Sequence, residues 1–431
     1  MQDRTQPLAP TGKLPPQPWM EFAETRAVVA ALGRDGAEVR FVGGCVRDAL
    51  AHRPVKDIDL ATRDPPEKVI ALLEAAGIRA IPTGIAHGTV TAVTGTRHFE
   101  ITTLRIDVET DGRRAKVAFT DDWAADAARR DFTINAMSCS LAGDIYDPFD
   151  GMFDLAQGRI RFVGRAAERI QEDALRLLRF FRFYATFGRP PTDPEALSAC
   201  RGLAPLVDAL SGERVRAELF RILLAPDPAS VISLMQGERV LERVLPEAGD
   251  VGRLRVEAWL TTTALRLDGL EPDALRRLAA LVRVNHDGAL RIAARLRLSN
   301  AERDRLAALA EPPVALGPEM DGRVRRRAFH ELGAGVARDL ALLAWAEEIA
   351  KNPHPPPGRN DAWTALVEDA GAWTPVAFPL KGRDALALGI PSGERVGELL
   401  GALERWWIDG DFRAGREECL AKLKELFTAR R

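Results

Sequence analysis

Asp57 and Asp59 flank Ile58 in a stretch, Asp57-Ile58-Asp59-Leu60, that reads as a β-strand. Residues i and i+2 of a strand share a face, so the two carboxylates stand side by side while Ile58 points into a core. Adjacent carboxylates repel unless a cation lies between them. A hard ion such as Mg²⁺, which takes carboxylate and phosphate oxygens, suits the pair. By itself the DxD pattern also fits an ordinary acidic strand end. Gly43-Gly44 shifts the balance, because glycine at a strand end lets the backbone approach a phosphate closely. Arg47, one turn into the next helix, is placed to hold a second phosphate oxygen. Glu100 is a third carboxylate, on an alternating stretch able to lie beside the Asp57–Asp59 strand. Alone it is a solvated strand residue. With the DxD pair it describes a phosphoryl-transfer site with two metal ions, one activating a hydroxyl and one neutralising a triphosphate.

The elements that must carry these groups follow from periodicity. Val39–Val42 reads as a strand ended by Gly43-Gly44, and Val46 to Leu50 begins a helix. Pro65-Pro66-Glu67 opens a helix reaching about Ala76. Gly88 to Val93 and His98 to Ile106 alternate like a hairpin turning at Gly95. The first 150 residues are thus mixed α and β. From Gly164 onward apolar residues recur at helical spacing, and no convincing strand follows Phe162-Val163. The expected class is α+β, a head with a mixed sheet followed by an all-α neck, body and tail. The expected boundaries are a loose Pro-rich tail over 1–21, a head over 22–155, a neck over 156–225, a body over 226–355 and a tail over 356–431.

Several segments in order carry a resemblance. Gly43-Gly44-Cys45-Val46-Arg47-Asp48 with Asp57-Ile58-Asp59 resembles the nucleotidyltransferase (polymerase β-like) head of class II CCA-adding tRNA nucleotidyltransferases and bacterial poly(A) polymerases. Arg129–Met137 matches that family's RRDFTxNA motif. Tyr146–Gly151 and Asp154-Leu155 match the segment closing the head. Arg169–Arg179 matches the EDxxRxxR helix, and Ser211–Leu219 resembles the next neck helix. A weaker echo runs from Lys381 to Gly397.

The resemblance implies roles. Asp57 and Asp59 bind two Mg²⁺ ions, and Glu100 completes the catalytic set. Gly43, Gly44, Arg47 and Arg179 contact the triphosphate. Asp131 reads the ribose, supported by Arg130 and Asn135. Asp107, Gly112 and Arg113 belong to a mobile loop. Asp173 and Arg176, expected at i and i+3 on one helix face, act as an amino-acid template for the incoming base. A carboxylate accepts from an exocyclic amine and a guanidinium donates to a ring nitrogen or carbonyl. C and A offer an amine with an adjacent acceptor, whereas U and G present a carbonyl and a ring N–H there. The implied activity is addition of CCA to the tRNA 3′ end from CTP and ATP. Poly(A) addition, or addition of C or A alone, is the alternative; the mixed-charge end of the chain favours tRNA over many unrelated RNAs. A catalytically dead RNA-binding relative is disfavoured by the intact acid set, and a small-molecule nucleotidyltransferase by the long helical body.

Composition adds exclusions. The 431 residues hold 60 Lys+Arg against 62 Asp+Glu, a net charge of -2, so bulk charge alone does not hold nucleic acid. Eight of the basic residues are Lys and fifty-two are Arg. Genomic drift explains most of that bias, yet Arg also suits phosphate and base-edge recognition. Two Arg-rich stretches, Arg276–Arg297 and Arg323–Arg327, are candidates for tracking an acceptor arm, or are solvated helix faces. Trp406-Trp407 reads as core. His286-Asp287 has no metal-spaced partners, so no phosphohydrolase domain is expected. Four scattered cysteines, no apolar run near the ~20 residues of a membrane helix and no signal-like N-terminus predict a cytoplasmic protein without a membrane anchor. Protein partners are not legible.

Overall fold

A computed structural model describes residues 9–110 and 115–428. The chain forms two compact units, Met1–Pro246 and Glu247–Arg431. The first therefore takes in the expected head and neck together with residues 226–246.

The first unit is built on an eight-stranded sheet. Its strands are β1 (Gly12–Lys13), β2 (Val39–Val42), β3 (Ile58–Thr62), β4 (Arg79–Gly84), β5 (Thr89–Thr94), β6 (Arg97–Thr103), and, after the separate two-stranded ribbon β7 (Arg105–Thr110) and β8 (Ala115–Phe119), β9 (Ser138–Cys139) and β10 (Asp144–Tyr146). The spatial order is β1-β10-β9-β2-β3-β6-β5-β4. Strands β3 and β6 pair in parallel and the other neighbours antiparallel, so the sheet is mixed as expected. Alternation decides the faces. Ile58, Leu60, Phe99 and Ile101 enter a core shared with Val28 and Leu32 of the helix Ala23–Leu32 and with Val69 and Leu73 of the helix Pro66–Ala75. Asp59 and Glu100 consequently turn to the opposite face. The parallel register sets them directly side by side.

Several expectations need correction. Residues 12–21 are not a loose tail: β1 pairs with β10, and Leu14, Trp19 and Met20 are buried. These apolar side chains have a sheet edge to cover, which their Pro-rich surroundings concealed. Asp57 precedes β3 instead of lying within it. Phe162 forms only an isolated bridge with Phe132. Asp107 lies in β7, opposite Val117, whereas Gly112 and Arg113 fall outside the described residues.

Helices Ala166–Glu172, Leu175–Phe187 and Gly212–Leu223 form the neck. A ladder of rings ties it to the head: Phe132 meets Phe162 at 4.7 Å between centroids and Phe183 at 5.1 Å. Aromatic pairs of this kind favour one relative placement of the elements they join.

The second unit is helical among the described residues apart from one isolated bridge. Many arginines of its Arg-rich stretches are held in ion pairs, whereas Arg291, Arg297 and Arg323 are exposed. Arg276 and Arg277 are buried against Glu257, Arg276 also reaches Asp339 at 3.0 Å, and Arg305 bridges Asp339 and Asp273. Arg283 pairs with Asp250, and Arg325, Arg326 and Arg327 pair with Asp369, Asp411 and Asp409. The acids that claim these arginines are distant in sequence, so a charge run that reads as a surface is partly interior. Removing one partner of a buried ion pair strands the other charge. Glu257→Ala is expected to destabilise the second unit by about 3–5 kcal/mol, measured by urea denaturation. Trp407 is core, whereas Trp406 is 37% exposed.

Candidate active site

Gly43 ends β2 with φ +68° and begins the helix Gly44–Leu50. A Cβ there would stand 2.9 Å from Nη1 of Arg130. Only glycine suits both the backbone and the neighbour. Gly43→Ala is expected to cost about 1–3 kcal/mol and to push Arg130 aside, seen as a lower Tm together with a raised KM for nucleotide. Cys45 lies beneath this turn, fully buried, and burial pushes its thiol up to about 12. It packs as a neutral side chain donating to the Val42 carbonyl.

Asp59 lines a cavity of about 660 Å³ with Glu100, and an adjoining cavity of about 540 Å³ with Asp57. Burial first, then the charges of Glu100 and Asp57, raise its carboxyl from 3.8 to about 6 against the pull of Arg130. Asp57 and Glu100 are exposed. Among the described residues no three acids close into a ready-made metal cage. Two flanking carboxylates around an under-neutralised third remain a fitting donor set for Mg²⁺, which binds through one or two carboxylates and completes its shell with phosphates and water.

The wall opposite is arginine-rich. Arg47 donates to Asn135 Oδ1 at 2.6 Å and to Asp48 at 2.9 Å, and its guanidinium lies over Phe183 and Phe187. Asp131 is buried and accepts from Phe132 N and Asn135 Nδ2, each at 2.9 Å, and from Arg179 Nε at 2.7 Å. Burial pushes this carboxyl up, but Arg179 and Asn135 outweigh it and hold it below the usual range. The residues expected at ribose and triphosphate thus meet each other as an ion pair.

Asp173 and Arg176 do not share one helix. The chain breaks at Asp173, which is extended (φ -151°, ψ 107°) between Ala166–Glu172 and Leu175–Phe187. Its carboxylate caps the second helix through Leu175 N at 3.0 Å and accepts from Arg214 Nη2 at 3.0 and 2.8 Å. Arg176 is held by Glu172 and donates to the Arg169 carbonyl at 3.1 Å. Both face the cavity of Asp59 and Glu100, each with its own tether: Arg214, itself on the cavity wall, for Asp173, and Glu172, outside it, for Arg176.

Among the described residues, that cavity gathers every expected site residue except Asp57 and Asp107. It adds Arg105, Arg129, Arg182 and Arg214, which sequence reasoning missed. Arg182 was findable, since Arg176, Arg179 and Arg182 recur at threefold spacing along one helix. Arg214 stands in the neck segment Ser211–Leu219, where nothing in the local sequence singles it out from Arg216. Eight arginines against four acids suit a polyanion with a negatively charged reaction centre.

Known proteins resolve the family. Residues 39–161 match the poly A polymerase head domain, and residues 192–250 match the domain described as "Probable RNA and SrmB- binding site of polymerase A". The mitochondrial CCA tRNA nucleotidyltransferase 1 of Danio rerio is 34% identical over 392 residues, spanning 90% of this chain and 87% of the relative. The chain belongs to the CCA tRNA nucleotidyltransferase family. The CCA-adding enzyme of Leuconostoc citreum is 39% identical over 246 residues, covering 57% of this chain and 58% of that one. Among solved structures, the Bacillus stearothermophilus CCA-adding enzyme in complex with CTP superposes with a TM-score of 0.75 at 28% identity, covering 96% of this chain and 99% of that one. Family membership agrees with the α+β class read from the sequence, a mixed-sheet head followed by helices.

Proposed function

We propose that the enzyme adds CCA to the 3′ end of tRNA from CTP and ATP without a nucleic-acid template, releasing pyrophosphate. The observation that carries this is the placement of Asp173 and Arg176, each fixed by its own partner, on the wall of the cavity that holds Asp59 and Glu100. A protein that selects bases by side chains needs donor and acceptor held still at reaction distance. The names of the relatives, and the CTP bound to the Bacillus stearothermophilus enzyme, support the same substrates.

In this reading Gly43 and Gly44 let the triphosphate approach the backbone, and Arg47, steadied over two phenylalanine rings, grips it. Arg179 shares its guanidinium between Asp131 and the phosphates. Asp131, with Arg130 and Asn135, faces the ribose. The terminal 3′ oxygen of the RNA forms a bond to the α-phosphorus as the bond to pyrophosphate breaks. Asp57 and Asp59 would hold Mg²⁺, with Glu100 beside them. Bound there, the metal supplies charge neutralisation at the triphosphate and a more acidic hydroxyl. The neck serves base recognition, the body and tail serve the tRNA, and a mobile-loop role is proposed for Asp107, Gly112 and Arg113. No helix among the described residues is long and apolar enough to cross a membrane. A cytoplasmic location is proposed on the four free, buried cysteines; the vertebrate relative carries a mitochondrial name.

The test is extension of a tRNA transcript that ends at the base before CCA. With Mg²⁺, CTP and ATP, growth by three nucleotides is expected, with none after chelation by EDTA. A transcript left unextended under complete conditions would remove the proposal.

A further inference from the structure

Arg169 is 8% exposed and lies outside the catalytic cavity, three residues before Glu172. Its Nη2 donates to two successive carbonyls, those of Arg129 and Arg130, the second at 2.7 Å. Its Nη1 donates to Glu172 Oε2. The same Glu172 oxygen accepts from Arg176 Nη1, and the same Arg129 carbonyl lies 3.5 Å from Arg176 Nη2. Arg176 also leans on the Arg169 carbonyl at 3.1 Å. Two of the atoms that orient Arg176 are therefore themselves oriented by Arg169. Arg130 and its neighbour Asp131 sit on the other end of the same bridge, some forty residues away in sequence.

We infer that Arg169 is a positioning residue that joins the segment facing the ribose to the base-reading Arg176, so that sugar and base are judged against one rigid frame. This rests on the proposed reading of Asp173 and Arg176 as the base-reading pair. The planar guanidinium suits the task, because it meets a carboxylate and two carbonyls with fixed geometry. A lysine keeps the charge but offers one nitrogen in place of a fork. A loosened Arg176 still reaches the base, yet it tolerates a base edge displaced by a fraction of an ångström, which is where discrimination is lost.

The experiment measures kcat/KM for CTP, ATP, UTP and GTP on a tRNA transcript lacking CCA, for wild type, Arg169→Lys, Glu172→Gln and the double variant. Arg165→Lys, at an exposed position paired with Glu168, serves as control. Arg169→Lys is expected to narrow the preference for CTP and ATP over UTP and GTP by about tenfold, the scale of one weakened base contact, through kcat more than KM. Glu172→Gln narrows it similarly, and the double variant is no worse than the more severe single one, since both act through one bridge. Arg165→Lys changes nothing. Should Arg169→Lys lower Tm yet leave the preference intact, or should the two losses add, Arg169 is only structural and the inference is overturned. If Arg169→Lys fails to fold, an unchanged preference in Glu172→Gln overturns it by itself. A wild type that shows no preference for CTP and ATP at all refutes instead the reading of Asp173 and Arg176.

Discussion

Asp59→Asn lowers the rate of nucleotide addition by about a thousandfold, the scale on which one preorganised charged group supports a transition state, and at the same time makes the metal-free protein more stable at neutral pH. The first effect follows from position: Asp59 lies where the two cavities adjoin, with Asp57 and Glu100 on either side. The second follows from its proton affinity. The folded protein raises this carboxyl from 3.8 to about 6. A group that binds its proton more tightly when folded favours the fold while protonated. That contribution is complete below pH 3.8 and is lost as pH rises through about 6. At pH 7.5 the ionised Asp59 therefore weighs against the fold, and the neutral Asn relieves it. Thermal denaturation in EDTA should show the variant above wild type at pH 7.5 and level with it near pH 4. Single-turnover extension at saturating nucleotide gives the rate. The same proton competes with Mg²⁺, so wild-type activity should decline as pH falls below about 6. A variant that extends RNA at the wild-type rate would remove Asp59 from the mechanism.

The second large effect concerns choice of base. Asp173→Asn replaces one acceptor oxygen with an amide donor at almost unchanged size. The wild-type carboxylate accepts the exocyclic amine that C and A share. The amide donates to the carbonyl that U and G present in its place. Each bidentate contact carries about 1–3 kcal/mol of discrimination, so the preference for CTP over UTP should fall by about ten- to a hundredfold and UTP incorporation should rise in absolute terms. Arg214 keeps one acceptor oxygen in this variant, which limits collapse of the helix break. Competition between labelled CTP and UTP on one transcript measures the ratio directly. An unchanged ratio with a uniformly lower rate would assign Asp173 to structure instead of recognition.

The parts of the site legible in the sequence are those fixed by local geometry. Gly43-Gly44 announces a strand end, and alternation in β3 and β6 places Asp59 and Glu100 on the face away from Ile58, Leu60, Phe99 and Ile101. The parts that were not legible depend on distant partners. Glu172, Ala174 and Leu175 are good helix formers, so a continuous helix through Asp173 is the natural expectation. Arg214, forty-one residues on, holds the Asp173 side chain at the break. Arg276 and Arg277 read as surface charge until Glu257 and Asp339 claim them. Strands of two residues, such as β1 and β9, are too short to show a period at all. Trp19 and Met20 hide in a Pro-rich stretch for the same reason.

The claim that protein side chains choose the base is tested most directly by sequencing the RNA ends made from a tRNA transcript lacking CCA, with each nucleoside triphosphate alone and with all four together. CTP alone should give two added C and stop, and the full mixture should give CCA with no U or G. Runs of A from ATP without any C would contradict the account and mark a poly(A) polymerase instead.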